Sequence, residues 1–278
     1  MLKRISPREL LKRTWAEIRA DDVFGKAAQL AYYFFLALFP FLICVISALS
    51  VFGLADRGRA LLLAFFCRYL PTPASDLISR TFGEIIASSG PLKMSFGIIA
   101  SLVSASLGVS AIMDTLNAAY NRHETRSLVK QYEVAIGLTV AMGLLLVVTT
   151  ASIIVGDDVV RALGPPHSLL VVWRIIEWPL TLALLLFSFA LTYYFAPDLK
   201  DRRWQWTSPG GIAGTLLLVL VSLGLKIYLH FLGNYSTTYG SLGGVIVLLL
   251  CFYLGGVAVL SGGALNGVIN EMNGHVDD

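Results

Sequence analysis

Six long apolar stretches constrain the fold of this chain more than any other feature of its sequence. They lie near residues 28–54, 94–116, 134–156, 176–196, 209–232 and 241–267. About 20 helical residues cross the ~30 Å hydrocarbon core of a bilayer. Lipid offers the backbone no hydrogen-bond partner, and a helix satisfies its own peptide groups. The sequence therefore predicts an all-α, polytopic membrane protein, with a transmembrane domain of six helices over 27–267.

The overall composition agrees with a membrane protein. Hydrophobic residues make up 56% of the chain and charged residues only 14%, whereas soluble domains carry about 25% charged residues. The first apolar stretch is too long for a signal peptide, whose apolar region has about 7–15 residues. We therefore interpret it as a retained helix. The net charge of +3 is too small to indicate a nucleic-acid partner.

Lys and Arg are unevenly distributed between alternate flanks of the predicted spans. The N-terminal segment 1–26, the second and fourth loops and the tail 268–278 together hold thirteen, and the other three loops hold seven. Basic residues are enriched in cytoplasmic segments. This distribution predicts that both termini lie in the cytoplasm.

The segment 1–26 is predicted to form a basic amphipathic helix. Its start, Ser6-Pro7-Arg8-Glu9, has the pattern of a capping box with proline in the first turn. An apolar stripe of Leu11, Trp15 and Ile18 is expected opposite three cations, Arg8, Lys12 and Arg19. Such a helix is attracted to anionic lipid, which makes the bilayer a predicted partner. Alternatively, the cations serve only to set the topology.

A second helix is predicted in the long first loop. Apolar residues recur at helical spacing from Ala74 to Ile86. Thr72-Pro73 precedes this pattern, and Gly90-Pro91 ends it. We therefore expect 57–90 to fold as a helical cap on the periplasmic side.

Polar side chains are sparse within the spans and are candidate functional residues, because such groups are costly in hydrocarbon. They predict an intramembrane polar site of Asp114, Asn117, Asn266 and Asn270 in the cytoplasmic half, with Lys226 and His230 toward the outer side. Two plainer interpretations remain open. The amides could join helices by hydrogen bonds, and Lys226 could extend to the interface. Pro40, in the middle of the first span, predicts a kink and is a candidate hinge.

Small residues recur at four-residue spacing in several spans, as in Gly210-xxx-Gly214 and Gly263-xxx-Gly267. This spacing permits close approach of two helices. Packing within the chain is the main interpretation, and a homodimer face is the alternative.

No sequence motif indicates catalysis. The chain contains no HExxH, GxSxG or Walker A pattern, so no catalytic residue, metal site or cofactor is predicted. His123 and Glu124 in the second loop are interpreted as solvated surface.

Short runs over residues 26–270 form a recognisable set. They are Ala27–Tyr33, Leu38-Phe39-Pro40, Ser104-Ala105-Ser106, Leu116–Tyr120, Tyr194–Pro197, Ser208-Pro209-Gly210, Tyr239–Gly244 and Ala264-Leu265-Asn266. In combination they resemble the YihY/BrkB family of bacterial integral membrane proteins. The resemblance implies six spans and a location in the bacterial inner membrane. Members are linked to serum resistance and, in one branch, to export of a lipid A precursor, and some carry an old ribonuclease label.

Two positions depart from the pattern of that family. An acidic residue often precedes the Leu-Asn pair of the last span, and here Ala264 stands there. A basic residue often follows Ser-Ala-Ser, and here Leu107 stands there. If those charges serve transport in other members, this chain lacks them.

The sequence and the resemblance together predict a transporter or lipid translocator. The spans hold too few charges for a typical ion-coupled pump, which favours a lipid or a small amphipathic molecule as substrate. The alternative is a factor that organises envelope assembly without transport. An enzyme is the third hypothesis, and the residues do not support the ribonuclease label.

Overall fold

The structure is a computed structural model that describes residues 6–51, 60, 63, 72–87, 91–162, 167–199, 206–231 and 241–272. Within these residues all regular elements are α-helices, which confirms the all-α prediction for this part of the chain. The eight helices described are α1 (Pro7–Ala20), α2 (Val23–Val51), α3 (Thr72–Ala87), α4 (Pro91–Ala119), α5 (Leu128–Ala162), α6 (His167–Phe195), α7 (Pro209–Phe231) and α8 (Ser241–Met272).

The six longest helices coincide with the six apolar stretches. Four of them contain a segment long and apolar enough to cross a membrane, namely Leu102–Ala119, Leu128–Leu145, Pro209–Leu229 and Leu242–Met272. In α2 and α6 the apolar segments found among the described residues are shorter, Val23–Phe39 and Pro179–Phe195. Four candidate spans therefore lie within the described residues, and the count of six stays a prediction.

Proline lies inside two of the long helices. α2 continues as a helix through Pro40, whose side chain is outside the described residues, so the predicted kink and hinge remain untested. α6 contains Pro179, which the sequence analysis did not single out.

The long helices form a ring that closes on itself. In chain order α4, α5, α6, α7 and α8 each pack against the next, and α8 packs against α4. α2 packs against both α4 and α8 on the outside of this ring. Within the described residues, the extensive backbone contacts of α6 are with α5 and α7 alone. Where the described residues show contact between α6 and the helices across the ring, side chains make it.

Apolar side chains fill one end of this ring. Phe189 and Tyr193 of α6 pack in a buried cluster with Leu116 of α4, Leu138 of α5 and Leu260 of α8. The outer surfaces of the ring are also apolar. Only 11% of Leu128–Leu145 and 17% of Pro209–Leu229 are buried within the chain. Faces of this kind suit contact with lipid.

The helix predicted in the first loop is present as α3. It begins at Thr72, as expected, and its Ala74 and Ile78 are fully buried. Both pack against Val247 and Leu248 of α8. α3 is thus docked on the bundle. Most of the remainder of 57–90 lies outside the described residues, and its periplasmic location stays a prediction.

α1 begins at Pro7 with Ser6 as N-cap residue, but the predicted capping box is wrong. The Ser6 side chain makes no capping hydrogen bond. The Glu9 carboxylate accepts a 2.9 Å hydrogen bond from Arg13 Nε, four residues later, and is therefore engaged elsewhere.

The predicted apolar stripe of α1 is also divided, and its expected position opposite the cations is wrong for Leu11 and Trp15, which share an exposed face with Arg8, Lys12 and Arg19. Thr14 and Ile18 are buried where α1 packs on α8, whereas Leu11 and Trp15 stay exposed. The same packing partly buries Glu17. Burial, with the nearby charges of Asp21 and Glu271, raises the pKa of the Glu17 carboxyl.

Glycines allow α8 to approach its neighbours closely. A Cβ added at Gly262 would overlap the Gly210 carbonyl oxygen of α7, and one at Gly267 would overlap the Ala119 carbonyl oxygen of α4. These glycine positions therefore pack within the chain, as the main interpretation expected. A homodimer stays a prediction.

We predict that Gly210→Ala lowers the stability of the bundle. Its Cβ would overlap the Gly262 carbonyl oxygen and lie 2.6 Å from Asn266 Cγ, so the helix backbones must separate. Overpacking of this kind costs about 1–3 kcal/mol. Gly224→Ala in the same helix is the matched control, because a Cβ there meets nothing within 4 Å. Thermal unfolding in detergent should show a lower Tm for Gly210→Ala alone, and equal Tm values for both variants would contradict the close packing.

Candidate functional site

Polar residues from several elements meet at the end of the ring where α4 and α6 finish and α7 begins. Asn117, Glu124, Arg126 and Asp198 are joined by direct hydrogen bonds, and we name these four residues the polar clamp. The runs that carry the family resemblance at Leu116–Tyr120, Tyr194–Pro197, Ser208–Gly210 and Ala264–Asn266 also lie at this end.

The chain turns back at the end of α4 in a way that brings the clamp together. Asn121 has a φ of 52°, in the left-handed region that asparagine tolerates better than most residues. Its N–H donates to the Ala118 carbonyl and the Arg122 N–H donates to the Asn117 carbonyl, both at 2.8 Å. This pair of bonds is a Schellman motif. It reverses the chain, so that Glu124 and Arg126 return beneath the last turn of α4.

Arg126 and Glu124 form the centre of the polar clamp. Arg126 Nε donates to Glu124 Oε1 at 2.6 Å and Nη2 donates to Oε2 at 2.9 Å, a bidentate pair. Their side chains are only 5% and 19% exposed. Arg126 Nε also lies 3.6 Å from the Asp198 carboxylate. The charges of both carboxylates thus balance the buried guanidinium.

Arg126 also satisfies the end of α6. Its Nη2 donates to the Ala196 carbonyl at 2.8 Å, and Nη1 donates more weakly to the Phe195 carbonyl at 3.4 Å. The last carbonyls of a helix lack partners within the helix and carry partial negative charge. One arginine therefore fastens the loop after α4 to the end of α6.

Asn117 connects the same elements from inside α4. Its Nδ2 donates to Glu124 Oε2 at 2.8 Å, and its Oδ1 accepts from the Asp198 N–H at 2.6 Å. In return, the Asp198 carboxylate accepts from the Thr125 N–H at 2.9 Å. Both polar atoms of the Asn117 amide are thus engaged within the chain.

Asn266 makes a second joint, between α8 and the start of α7. Its Oδ1 accepts from the Gly210 N–H at 2.7 Å, and its Nδ2 donates to Ser208 Oγ at 2.9 Å. Ser208 Oγ also accepts from the Gly211 N–H at 3.0 Å, which makes Ser208 the N-cap residue before Pro209.

The residues predicted to form an intramembrane polar site are therefore distributed over different environments. Asn117 and Asn266 are buried at the same end, but they bond to different partners. Asp114 is exposed on the outer face of α4, and Asn270 is partly exposed. Lys226 is exposed on α7, and the His230 side chain lies outside the described residues. Hydrogen bonding between elements accounts for the two buried amides, and action on a substrate stays a prediction.

The sequence did not indicate the structural roles of four residues of this region: Arg126, Asp198, Ser208, which was named only in a run of the family resemblance, and Glu124, which was interpreted as solvated surface. The interpretation of Glu124 as solvated surface is wrong, because Arg126 and Asn117 bury and bond its carboxylate. His123 is exposed, as expected. A Glu and an Arg two residues apart in a short loop were a weak signal of an ion pair. Asp198 is 73 residues away from its partner Thr125, and nothing local indicates that contact.

The polar clamp is suited to fastening rather than to catalysis. Each of its side chains is already engaged by hydrogen bonds or ion pairs within the chain. In the part of the chain that the structure describes, no three His, Cys, Asp or Glu residues are grouped as a metal site.

Comparisons with known proteins identify relatives over almost the whole chain. The family model described as "Virulence factor BrkB" matches residues 14–277. The ribonuclease-like protein YfkH of Bacillus subtilis (strain 168) is 33% identical over 265 residues, which are 94% of this chain and 95% of that protein. A UPF0761 membrane protein of Stenotrophomonas maltophilia (strain K279a) is 28% identical over 256 residues, 91% of this chain. This chain spans 58% of that protein. No solved structure matches the chain.

We predict that Arg126→Met strongly destabilises the protein. It leaves the Glu124 carboxylate buried without its main partner, and breaking a buried pair on one side costs about 3–5 kcal/mol. Arg13→Met is the control, because its pair with Glu9 is about half exposed and such surface pairs contribute roughly 0–1 kcal/mol.

The double variant Glu124→Gln with Arg126→Met should recover part of the lost stability, because the unpaired charge of Glu124 is then removed. The Asp198 carboxylate keeps its hydrogen bond from the Thr125 N–H. These differences are measured by thermal unfolding, in one detergent, of the unaltered protein, the two single variants and the double variant. Equal Tm values for Arg126→Met and Arg13→Met would show that the clamp does not hold the bundle together.

Proposed function

The chain belongs to the virulence factor BrkB family of membrane proteins, and from this premise we propose that it translocates a lipid or a small amphipathic molecule across the bacterial inner membrane. The proposal includes six spanning helices with both termini in the cytoplasm. The four candidate spans and the thirteen Lys and Arg residues of the predicted cytoplasmic segments support it.

One observation carries the proposal: the helices form a ring that is closed at one end by side chains. α6 faces α4 and α8 across the ring, and Phe189 and Tyr193 fill the space between them at the clamp end. The Tyr193 hydroxyl donates a 2.6 Å hydrogen bond to the Val259 carbonyl of α8. We infer that this end opens and closes, and that the described conformation is the closed one.

The chemistry of the ring favours an amphipathic substrate. Its described interior at the clamp end is mainly apolar, and the Tyr193 hydroxyl and the Asn266 amide there are hydrogen-bonded within the chain. Two buried hydroxyls, Ser110 Oγ and Thr215 Oγ1, have no hydrogen-bond partner among the described residues. The outer faces of α5 and α7 are apolar as well, with exposed residues such as Leu144, Leu216 and Leu220. A molecule with an acyl chain can enter between such helices from the bilayer, whereas a free ion would need polar groups along its route.

A factor for envelope assembly that does not transport is the alternative. The saturated hydrogen bonds of Asn117 and Asn266 favour it, since both amides are used to join elements. Purification after chemical crosslinking in cells would then recover one partner protein in stoichiometric amount.

We predict lipid movement by the purified protein in liposomes. Lipids with a fluorescent label on the acyl chain and phosphatidylglycerol or phosphatidylethanolamine headgroups are distributed over both leaflets, and dithionite bleaches the outer leaflet. The protein should increase the bleached fraction above that of protein-free liposomes. No movement of either lipid, or of a panel of amphipathic solutes, would contradict the proposal and favour the assembly factor.

The variant Tyr193→Phe tests whether opening of the clamp end limits the rate of lipid movement. It removes the bond to Val259, and one hydrogen bond contributes about 0.5–1.5 kcal/mol, so we expect roughly two- to tenfold faster movement. Tyr228→Phe is the matched control, because Tyr228 is exposed on α7.

We propose that the protein is not an enzyme, although the relative YfkH has a ribonuclease-like name. His123, the candidate nearest to an acidic residue in the sequence, is exposed, and its neighbour Glu124 is held by Arg126. We predict that RNA-degrading activity falls to background during purification. Activity that copurifies with the protein and is lost in His123→Ala would contradict this.

A further inference from the structure

One exposed face of α1 carries cations and large apolar side chains together. Residues at spacings of three and four share this face, which we name the basic stripe: Arg8, Leu11, Lys12, Trp15 and Arg19. All five are exposed, and Leu11 and Trp15 are 72% and 49% accessible. The neighbouring face, with Thr14 and Ile18, is covered by α8. The basic stripe therefore faces away from the bundle.

The acidic residues of this region lie on other faces of α1 or are bonded to other groups. Glu9 pairs with Arg13 on another side of α1, and Glu17 and Asp21 lie on the side toward α8. Asp22 follows α1, and its carboxylate accepts from the Gly25 N–H at 3.3 Å. Within the described residues, no carboxylate forms an ion pair with the three cations of the basic stripe. The stripe is thus a positive surface beside apolar rings.

The aromatic part of the stripe is preorganised. The Arg19 guanidinium lies over the Trp15 ring, 5.1 Å from its centroid. Phe24 in the first turn of α2 contacts the same ring edge to face, with centroids 6.2 Å apart. These contacts fix an indole, a phenyl ring and a guanidinium in one small area.

If α2 spans the bilayer, as proposed above, the position of the basic stripe along the chain is at the level of the lipid headgroups. Two residues, Asp21 and Asp22, separate α1 from α2, and the apolar segment of α2 begins directly at Val23. Trp15 touches the first turn of α2 and therefore shares its depth. Tryptophan and phenylalanine at this depth enter the headgroup region, and cations beside them meet phosphate groups.

We propose that the basic stripe, together with Phe24, binds the headgroups of anionic phospholipids. Arg8, Lys12 and Arg19 contact the phosphates, and Leu11, Trp15 and Phe24 insert among the upper acyl carbons. The binding surface lies outside the ring, so it is a separate property from translocation. A failed lipid-movement assay would leave this proposal intact.

The test uses the full-length protein in a non-ionic detergent, titrated with phosphatidylglycerol that carries brominated acyl chains. Bromine quenches nearby indoles, and subtracting the signal of Trp15→Phe isolates the quenching of Trp15 from that of the other four tryptophans. Brominated phosphatidylcholine, with the same chains and a zwitterionic headgroup, measures simple partition. We expect half-maximal quenching of Trp15 at a concentration of phosphatidylglycerol at least tenfold lower than of phosphatidylcholine.

Two single substitutions distinguish a specific effect of the basic stripe on lipid binding from an effect of net charge. Each cation near an anionic surface contributes about 1 kcal/mol, or roughly fivefold in affinity, so Arg19→Gln should weaken phosphatidylglycerol binding by about that factor. Arg13→Gln removes the same charge from the same helix, but on the side where Arg13 pairs with Glu9. We expect it to change binding less than twofold.

Three results would overturn the proposal. Equal quenching by the two lipids would show that the headgroup charge is not recognised. Equal weakening by Arg19→Gln and Arg13→Gln would show that only net charge matters. Unchanged binding in the triple variant Arg8→Gln, Lys12→Gln and Arg19→Gln would exclude the stripe. An unchanged thermal unfolding curve of each variant confirms that the bundle remains folded, since none of these side chains packs on α8.

Discussion

The close approach of α8 to its neighbours is the contact on which the bundle depends. Helices in a bilayer gain little from burying apolar surface, because lipid tails are as apolar as leucine, so packing and hydrogen bonds decide which helices associate. α8 packs against α1, α2, α3, α4 and α7. Glycines at 262 and 267 bring its backbone against Gly210 and Ala119. Larger residues at these points would separate α7 and α4 from α8 and open the ring.

This close packing in turn lets the buried polar groups form hydrogen bonds, so that their burial destabilises the bundle less. An amide or carboxylate inside a bundle is destabilising unless its atoms are hydrogen-bonded. Asn266 accepts from the Gly210 N–H at the start of α7 because the Gly210 backbone lies directly against α8. Arg126 similarly reaches the last carbonyls of α6 because the Asn121 turn returns the loop beneath α4. The polar bonds therefore occur where helices end, at the points where backbone groups lack partners.

The sequence predicts those features that depend on neighbouring residues. The lengths of the apolar stretches predict the six long helices. The helical spacing of apolar residues in the first loop predicts α3, including its first residue, Thr72. Contacts between distant segments leave no pattern in the local sequence. Arg126, for example, donates a hydrogen bond to the carbonyl of Ala196, seventy residues later. The sequence predicts that α1 has apolar and charged residues at helical spacing, but it does not predict which of its apolar residues are buried against the bundle. Leu11 and Ile18 are similar in hydropathy, and only the docking of α1 on α8 decides that Ile18 is buried and Leu11 exposed.

If the proposed translocation passes the clamp end of the ring, the energy of the polar clamp limits how a substrate can do so. Leaving one partner of a buried ion pair without its counter-charge costs about 3–5 kcal/mol, and an opening that separates Arg126 from Glu124 without hydrating them would cost a similar amount. Since about 1.4 kcal/mol corresponds to a tenfold change in population, the open form would be on the order of one molecule in a hundred to one in several thousand. A ligand shifts this balance only by as much as it binds the open form better than the closed one. If transport passes this end, the substrate must therefore replace part of the clamp's interactions, and a molecule without a polar headgroup cannot do so.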